Sequence, residues 1–397
     1  STCAANGSGA FSCTTGTLTA GSNAITAKAT DAAGNTSSAS TALTVTVDTT
    51  AATQTISAID ISADTGSSVT DFTTSTAAQT ITATLSAGLG TGETLWVSVD
   101  NGSTYTDITS SVTSTTAVSW ASATLSGSSS ITFQVRDAAG NAGTTATQAY
   151  VLDTTAPTQT ISSIDISADT GSSASDFTTS TASQTITATL SAVLGASETL
   201  WGSLDGGSTY TDISASVSGT SVSWASTTLV GSSSIKFQVR DVAGNAGTTA
   251  TQAYVLDTTA PTLTLAASAA TSGSATITFT VTGNEAINCS TLSTTHGTDF
   301  DFTSTGISAI TGIVQTSPTV CTITATSTAT LGGPAVTSTL TAAGSFSVSD
   351  TAGNAQTAIT GSPATTTVTV TDSTAPTLSA ASASSIASTT ISVMTVT

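Results

Sequence analysis

The sequence predicts an all-β chain of tandem two-sheet sandwiches. A long internal repeat, short strands of alternating polarity, and turn chemistry every 8–12 residues together predict it. The stretch from Phe133 to Pro157 returns almost letter for letter as Phe237 to Pro261, and reduced forms stand at Lys28–Ala51 and Phe346–Pro376. Asp48 and Asp153 are 105 residues apart, and Asp153 and Asp257 are 104 apart. The matched residues between these marks include Asp60/Asp165, Asp64/Asp169, Asp71/Asp176, Trp96/Trp201, Tyr105/Tyr210 and Trp120/Trp224.

Each element of the repeat has a physical reason. Ile131, Phe133 and Val135 alternate with Thr132, Gln134 and Arg136, the period of a half-buried strand. Asp137-Ala-Ala-Gly-Asn141 follows as a tight turn, because Gly140 and Asn141 tolerate left-handed backbone angles. A second strand runs to Leu152, and Asp153-Thr-Thr-Ala-Pro157 ends it, since Pro157 has no amide to give a ladder. In the first full repeat, strands are expected near 54–61, 79–86, 94–100, 118–125, 130–136 and 145–152, with a short extra one near Tyr105. About seven short strands in about 100 residues is the pattern of an immunoglobulin-like sandwich. Its expected core is Ile56, Ile81, Leu85, Leu95, Val97, Val99, Trp120, Leu125, Ile131, Phe133, Val135 and Val151. Trp96 and Trp201 fall out of register with that core and are expected to face outward.

The expected division is 1–47 for the later strands of a domain, 48–152 and 153–256 for two full ones, 257–371 for a diverged one, and 372–397 for the first strands of another. The two partial stretches leave open sheet edges. They are completed either by neighbouring parts of a longer chain or by each other between copies, as in strand complementation.

Composition limits function. Only 7% of residues are charged and the net charge is −19, with Lys28, Arg136, Lys236 and Arg240 as the only cations besides the amino terminus. Nucleic acid and anionic membrane surfaces need a basic patch, so neither is an expected partner. No apolar run approaches the 18 or so residues of a membrane span. No signal-peptide pattern stands at Ser1, so any targeting segment is expected outside residues 1–397. The acids are 20 Asp against Glu93, Glu198 and Glu285, and Asp is the side chain of tight turns and of oxygen-ligand cation loops. Cys3 and Cys13 form one local pair, Cys289 and Cys321 another; two disulfides are the simplest reading, which implies an oxidising, extracytoplasmic location. The single histidine, His296, has no nucleophile context, so no enzyme is expected.

Three motifs carry a family resemblance. Asp-x-Ala-Gly-Asn occurs at 31–35, 137–141, 241–245 and 350–354, and Asp-Thr-Thr-Ala at Asp48, Asp153 and Asp257, with Asp372-Ser-Thr-Ala-Pro as a variant. Ile59-Asp-Ile-Ser-Ala-Asp64 returns from Ile164. This set resembles the bacterial immunoglobulin-like repeats of giant surface adhesins and calcium-dependent extender arrays. The resemblance implies a rigid, extracellular spacer on a bacterial cell surface, with calcium at domain junctions and neighbouring domains or copies of itself as partners. Candidate ligands are Asp31, Asn35, Asp48, Asp60, Asp64, Asp137, Asn141, Asp153, Asp165, Asp169, Asp241, Asn245, Asp257, Asp350, Asn354 and Asp372. By the strand order, Asp137, Asn141, Asp153, Asp165 and Asp169 are expected to converge at one sandwich end, where carboxylates would repel without a cation. The plain alternative is that these residues only form Asx-turns. Two other functions compete with the spacer: a self-assembling filament or sheath subunit, and a module binding glycan or a host or surface protein, for which the diverged 257–371 stretch is the place to look.

Overall fold

The computed structural model of the chain describes residues 1–268 and 275–369. The described residues hold strands and three single 3-10 turns, with no α-helix among them. Among the described residues, strands β1 (Gly21–Ile25) and β2 (Leu43–Val47) pair antiparallel with each other alone. The first full repeat follows as β3 (Ile56–Ile61), β4 (Thr73–Thr74), β5 (Ala78–Leu85), β6 (Thr94–Ser98), β7 (Thr106–Asp107), β8 (Ala117–Thr124), β9 (Ser129–Arg136) and β10 (Ala146–Leu152). One sheet is β3-β5-β8 and the other β4-β10-β9-β6-β7. All pairings are antiparallel except β4 with β10. The second repeat reproduces this order from Ile161 to Leu256, adding a two-residue strand, Val217–Ser218. The fold is all-β, a tandem of immunoglobulin-like sandwiches.

Three separate cores hold the array: Ala52–Tyr150, Ile166–Tyr254 and Leu263–Val368. We call the sandwiches around them the first, second and third modules. Alternation buries every second residue of β5, so Gln79, Ile81, Ala83 and Leu85 face inward while Thr80, Thr82 and Thr84 cover the outside. Phe133, Phe237 and Phe279 are fully buried, each burial contributing about 1.5–3 kcal/mol.

The expected strands form within one or two residues of their places; β4 was not anticipated. Three core assignments change. Val151 is 47% exposed, and its neighbour Tyr150 is buried in its stead, donating its hydroxyl to the Val99 carbonyl at 2.8 Å. The hydroxyl has a polar partner inside, so the larger ring takes the buried parity. Trp120 and Val99 are half-buried, packed on the rim of the core. Trp96 does face out of the core, and it is covered: the Arg136 guanidinium lies 4.5 Å from its ring centre and 5.3 Å from that of Tyr105. Arg240 repeats this over Trp201 and Tyr210.

The strand directions define two poles in each module. The entry linker, the β5–β6 loop and the Asp137–Asn141 turn share one. The β3–β4 loop, the end of β10 and the exit linker share the other, where Asp153 N donates to Thr74 O at 3.0 Å.

Candidate inter-module junction and cation site

The Asp-x-Ala-Gly-Asn turn is a self-contained acidic cradle. Asp137 Oδ1 accepts the Ala139 and Asn141 amides at 2.8 and 2.9 Å, and its Oδ2 accepts Asn141 Nδ2 at 2.8 Å. These bonds, the Asn141 amide side chain first, hold the Asp137 carboxyl below its usual range. Asn141 Nδ2 also donates to Asp48 O at 3.0 Å, tying the turn to the linker that enters its own module. Asn245 does the same with Asp153 O at 2.8 Å, and Asn354 with Asp257 O at 2.9 Å. Asp31 and Asn35 form the same turn between β1 and β2.

This geometry corrects the expected grouping. Asp137 and Asn141 do not meet Asp153, because the seven residues of β10 carry the chain about 23 Å to the other pole. Asp153 meets the turn of the next module instead. Asp60 and Asp165 are exposed on the edge strand, each Oδ1 accepting the following amide at 2.9 Å, and do not join the cradle. Asp64 and Asp169 stand at the exit pole, where each Oδ2 accepts the amide of Phe72 or Phe177 at 2.9 Å and each Oδ1 is enclosed without a partner. Asp372 lies outside the described residues.

Across the junction, modules touch through backbone. Thr65 Oγ1 donates to Ala243 O at 2.6 Å and Ser67 N to Val242 O at 3.2 Å. The next junction repeats both bonds: Thr170 Oγ1 to Ala352 O at 2.6 Å and Ser172 N to Thr351 O at 3.2 Å. The approach requires glycine on both sides. A Cβ on Gly66 would lie 2.5 Å from Val242 O, and one on Gly244, whose φ is +87°, would collide with Thr65 O.

Beside this contact, at the entry pole of the third module, Asp257, Glu285 and Asp350 converge. One carboxylate oxygen from each lies within 4.8 Å of the others. Asp350 is buried and the other two half-buried. Glu285 Oε1 is enclosed with no hydrogen-bond partner among the described residues. Burial pushes the Glu285 carboxyl up, and the neighbouring Asp257 and Asp350 push it further. Three carboxylates with an orphaned buried oxygen suit a hard divalent cation with oxygen ligands.

The corresponding acids of the other modules have hydrogen-bond donors instead. Glu93 Oε2 accepts Gln54 Nε2 and the Gly90 amide; Glu198 Oε2 accepts Gln159 Nε2 and the Gly195 amide. Each glutamine lies six residues after its linker aspartate, and the third module has Leu263 there. Sequence reasoning named Asp257 and Asp350 but missed Glu285. The missing signal is the exchange of a glutamine for Leu263, which leaves a nearby acid without its amide.

Both cysteine pairs are bonded, with Cα atoms 5.5 Å apart for Cys3–Cys13 and 5.6 Å for Cys289–Cys321, the latter inside the third core. His296 is exposed and bonds Asp301 at 2.8 Å in a loop.

A scan of family models matches residues 1–49 to the bacterial Ig-like domain. The Asp-x-Ala-Gly-Asn turn and Asp-Thr-Thr-Ala linker of this Ig-like segment recur in the three modules. No curated protein matches the chain. Among solved structures, the chain is similar to a tetra-tandem repeat in the extending region of a large adhesion protein, at 19% identity over 92% of this chain and 86% of that one, with a TM-score of 0.24. It is similar also to a Ca2+-stabilized adhesin that helps an Antarctic bacterium reach out and bind ice (21%, 88% and 81%, TM-score 0.27). A third is a 1.5-MDa bacterial ice-binding adhesin (19%, 81% and 98%, TM-score 0.23). All three superimpose poorly over their whole length. No helix among the described residues is long and apolar enough to cross a membrane.

Proposed function

We propose that the chain is a stiff, non-enzymatic spacer in the extracellular stalk of a bacterial surface adhesin or fibre, its modules divided at Asp48, Asp153, Asp257 and Asp372. The observation that carries this reading is the repetition of one junction. Thr65 and Ser67 hold the second module with the same two bonds by which Thr170 and Ser172 hold the third. A binding module has no need to meet its neighbours identically, whereas a spacer gains a constant direction from it. The two disulfides suit an oxidising exterior. Outward strand faces of Thr, Ser and Ala supply β-propensity without sticky apolar patches.

Calcium belongs to this reading at the entry of the third module, held by Asp257, Glu285 and Asp350. A cation there would neutralise the three-carboxylate cluster beside the linker and stiffen the one junction whose acid lacks an amide partner. At the first and second modules, Gln54 and Gln159 already serve the corresponding acids.

Small-angle scattering and calorimetry of the chain, with calcium and with chelator, test both parts. The expected result is a stiff multi-domain particle whose third-module transition alone rises with calcium. Scattering from freely jointed modules under both conditions would refute the spacer. A stiff particle with no calcium response would refute only the cation.

A further inference from the structure

The first and second modules are near copies, and some of their exchanges cluster at one place. On the strand Thr199–Ser203 and the loop after it, Gly202 stands for Val97, Leu204 for Val99 and Gly206 for Asn101. Val97 is a core residue of the first module, 1% exposed. A glycine inside a strand has no side chain to pack and marks a place where another group comes close. Here that group is the Trp224 indole: a Cβ on Gly202 would lie 2.7 Å from its Cζ3 and 3.1 Å from Ile213 Cδ1. The indole also meets Phe237 edge-on, the ring centres 6.0 Å apart. Beside it lies a half-open cavity of about 140 Å³, lined by Gly202 and Trp224 and by the exposed Asp205, Thr209 and Thr211.

The polar side of the cavity is held in place and has capacity to spare. Asp205 Oδ1 accepts the Ser203 hydroxyl at 2.7 Å and the Thr209 amide at 3.0 Å, and its Oδ2 accepts the Thr209 hydroxyl at 2.6 Å. These bonds, that of the Thr209 hydroxyl first, hold the carboxyl far below its usual range, so it is an ionised acceptor at physiological pH. A carboxylate takes about four hydrogen bonds, which leaves a position on Oδ2 open. Thr211 pairs with Gly202 on the neighbouring short strand, and its hydroxyl has no hydrogen-bond partner among the described residues. Charge narrows the ligand further. Asp205 and the net charge of −19 turn away anions. Lys236, which replaces Thr132, brings its Nζ to 3.4 Å from the Cβ position of Gly207 and so sets a positive charge beside the same loop, against cations. We propose that the cavity is a carbohydrate subsite that seats one neutral pyranose ring, with the C–H side of the sugar on the Trp224 indole and its hydroxyls bonded to Asp205 and Thr211. An aromatic wall with a few fixed polar groups is the make-up of a small-molecule site, and a sugar ring offers the matching apolar side and hydroxyl rim.

None of these residues takes part in the bonds between modules, so the site stands or falls apart from the spacer reading. An NMR titration of the indole N–H signals of the full chain tests it, with the methyl glycosides of mannose, glucose, galactose and N-acetylglucosamine as probes. At least one glycoside should shift the Trp224 signal saturably, with a dissociation constant on the order of 1–10 mM for so small and open a cavity. The signals of Trp96 and Trp120, in the first module, should stay in place. Gly202→Val should weaken binding about tenfold or more by filling the cavity. The variant should fold, because the first module holds Val97 on the same strand with Trp120 opposite. Thr211→Val keeps the size of an exposed strand residue and should weaken binding about fivefold by removing one hydrogen bond. No saturable shift with any of the four sugars would overturn the proposal. So would a shift that keeps its full affinity in both variants. A saturable response to tetramethylammonium in place of the glycosides would make the occupant a cation and overturn the assignment to a sugar.

Discussion

Glu285→Gln separates the two ways in which the third module can satisfy its entry pole. At neutral pH the wild-type chain holds Asp257, Glu285 and Asp350 with oxygens inside 4.8 Å. Two unit charges at that distance repel by about 0.9 kcal/mol at the dielectric of water and about 3.5 kcal/mol at an effective dielectric of 20. Glu285 takes part in two such repulsions. Its replacement by the neutral amide in chelator should therefore stabilise the third module by about 1–2 kcal/mol, toward the solvent-screened limit because the pole is half-open. That corresponds to a rise of about 4–8 °C in its transition for each kcal/mol. Calcium should act on the wild-type chain and leave the variant unchanged. An ion at ten times its dissociation constant adds about 1.4 kcal/mol, and extracellular modules bind calcium at about 0.1–1 mM. The wild-type transition should thus climb in millimolar calcium while that of Glu285→Gln stays in place. Calorimetry of the full chain reads this, and the assignment is internal: all four tryptophans lie in the first and second modules, so a transition silent in tryptophan emission is the third. pH acts on the same cluster in a defined direction. Glu285 has its folded pKa raised above 4.5, so in chelator its unfavourable contribution is absent below that value and grows as pH rises through the raised one. Lowering the pH from 7 toward 5 should stabilise the calcium-free third module. A destabilised Glu285→Gln in chelator, or a calcium response surviving in it, would refute the reasoning.

Other outcomes follow from single contacts. Replacing Cys289 and Cys321 together by alanine opens a 32-residue span and should lower the third-module stability by about 3–4 kcal/mol, leaving tryptophan-detected melting unchanged. Asn245→Ala removes the bonds to Asp153 O and Asp241 Oδ2, and should cost the second module about 1–2 kcal/mol in a denaturant melt and widen the angular distribution seen by scattering. Arg136→Ala uncovers Trp96, so acrylamide quenching should increase and stability fall by about 0.5–1 kcal/mol; Arg136→Leu, which keeps the stem but not the cation, should recover little of it. Asp100 accepts from the Ser98 and Thr104 hydroxyls, first among its partners, and is held down to about 2; a side-chain NMR titration should place its midpoint there, its stabilising effect persisting until pH falls through that value.

The parts of this molecule that were legible in the sequence are those written twice. Strand places in the first module came from period-2 alternation, and the second module repeats them, so one pattern confirmed the other. Parity placed Val151 in the core, and the structure buries Tyr150 there instead. Both are apolar enough to be core, and the choice depends on Val99 O standing within reach of a phenolic hydroxyl, a tertiary fact. The acidic residues were recognised but assigned to the wrong pole. Asp137 and Asp153 are close in sequence, and that closeness misleads because β10 separates them by its own length. A turn between two antiparallel strands faces away from the end at which the second strand leaves. The entry pole therefore gathers residues far apart in the chain, such as Asn141 with Asp48, Asn245 with Asp153 and Asp257 with Asp350. The same rule explains why Glu285 was passed over: a glutamate has no turn propensity to mark it, and its chemistry is set by Leu263, which cannot donate where Gln54 and Gln159 do. The array thus carries two solutions to one electrostatic problem at equivalent poles. An amide answers it with a neutral donor already in the chain, and is indifferent to the medium. Three carboxylates have no such donor, so that on the calcium reading proposed above this junction would report the calcium concentration around it.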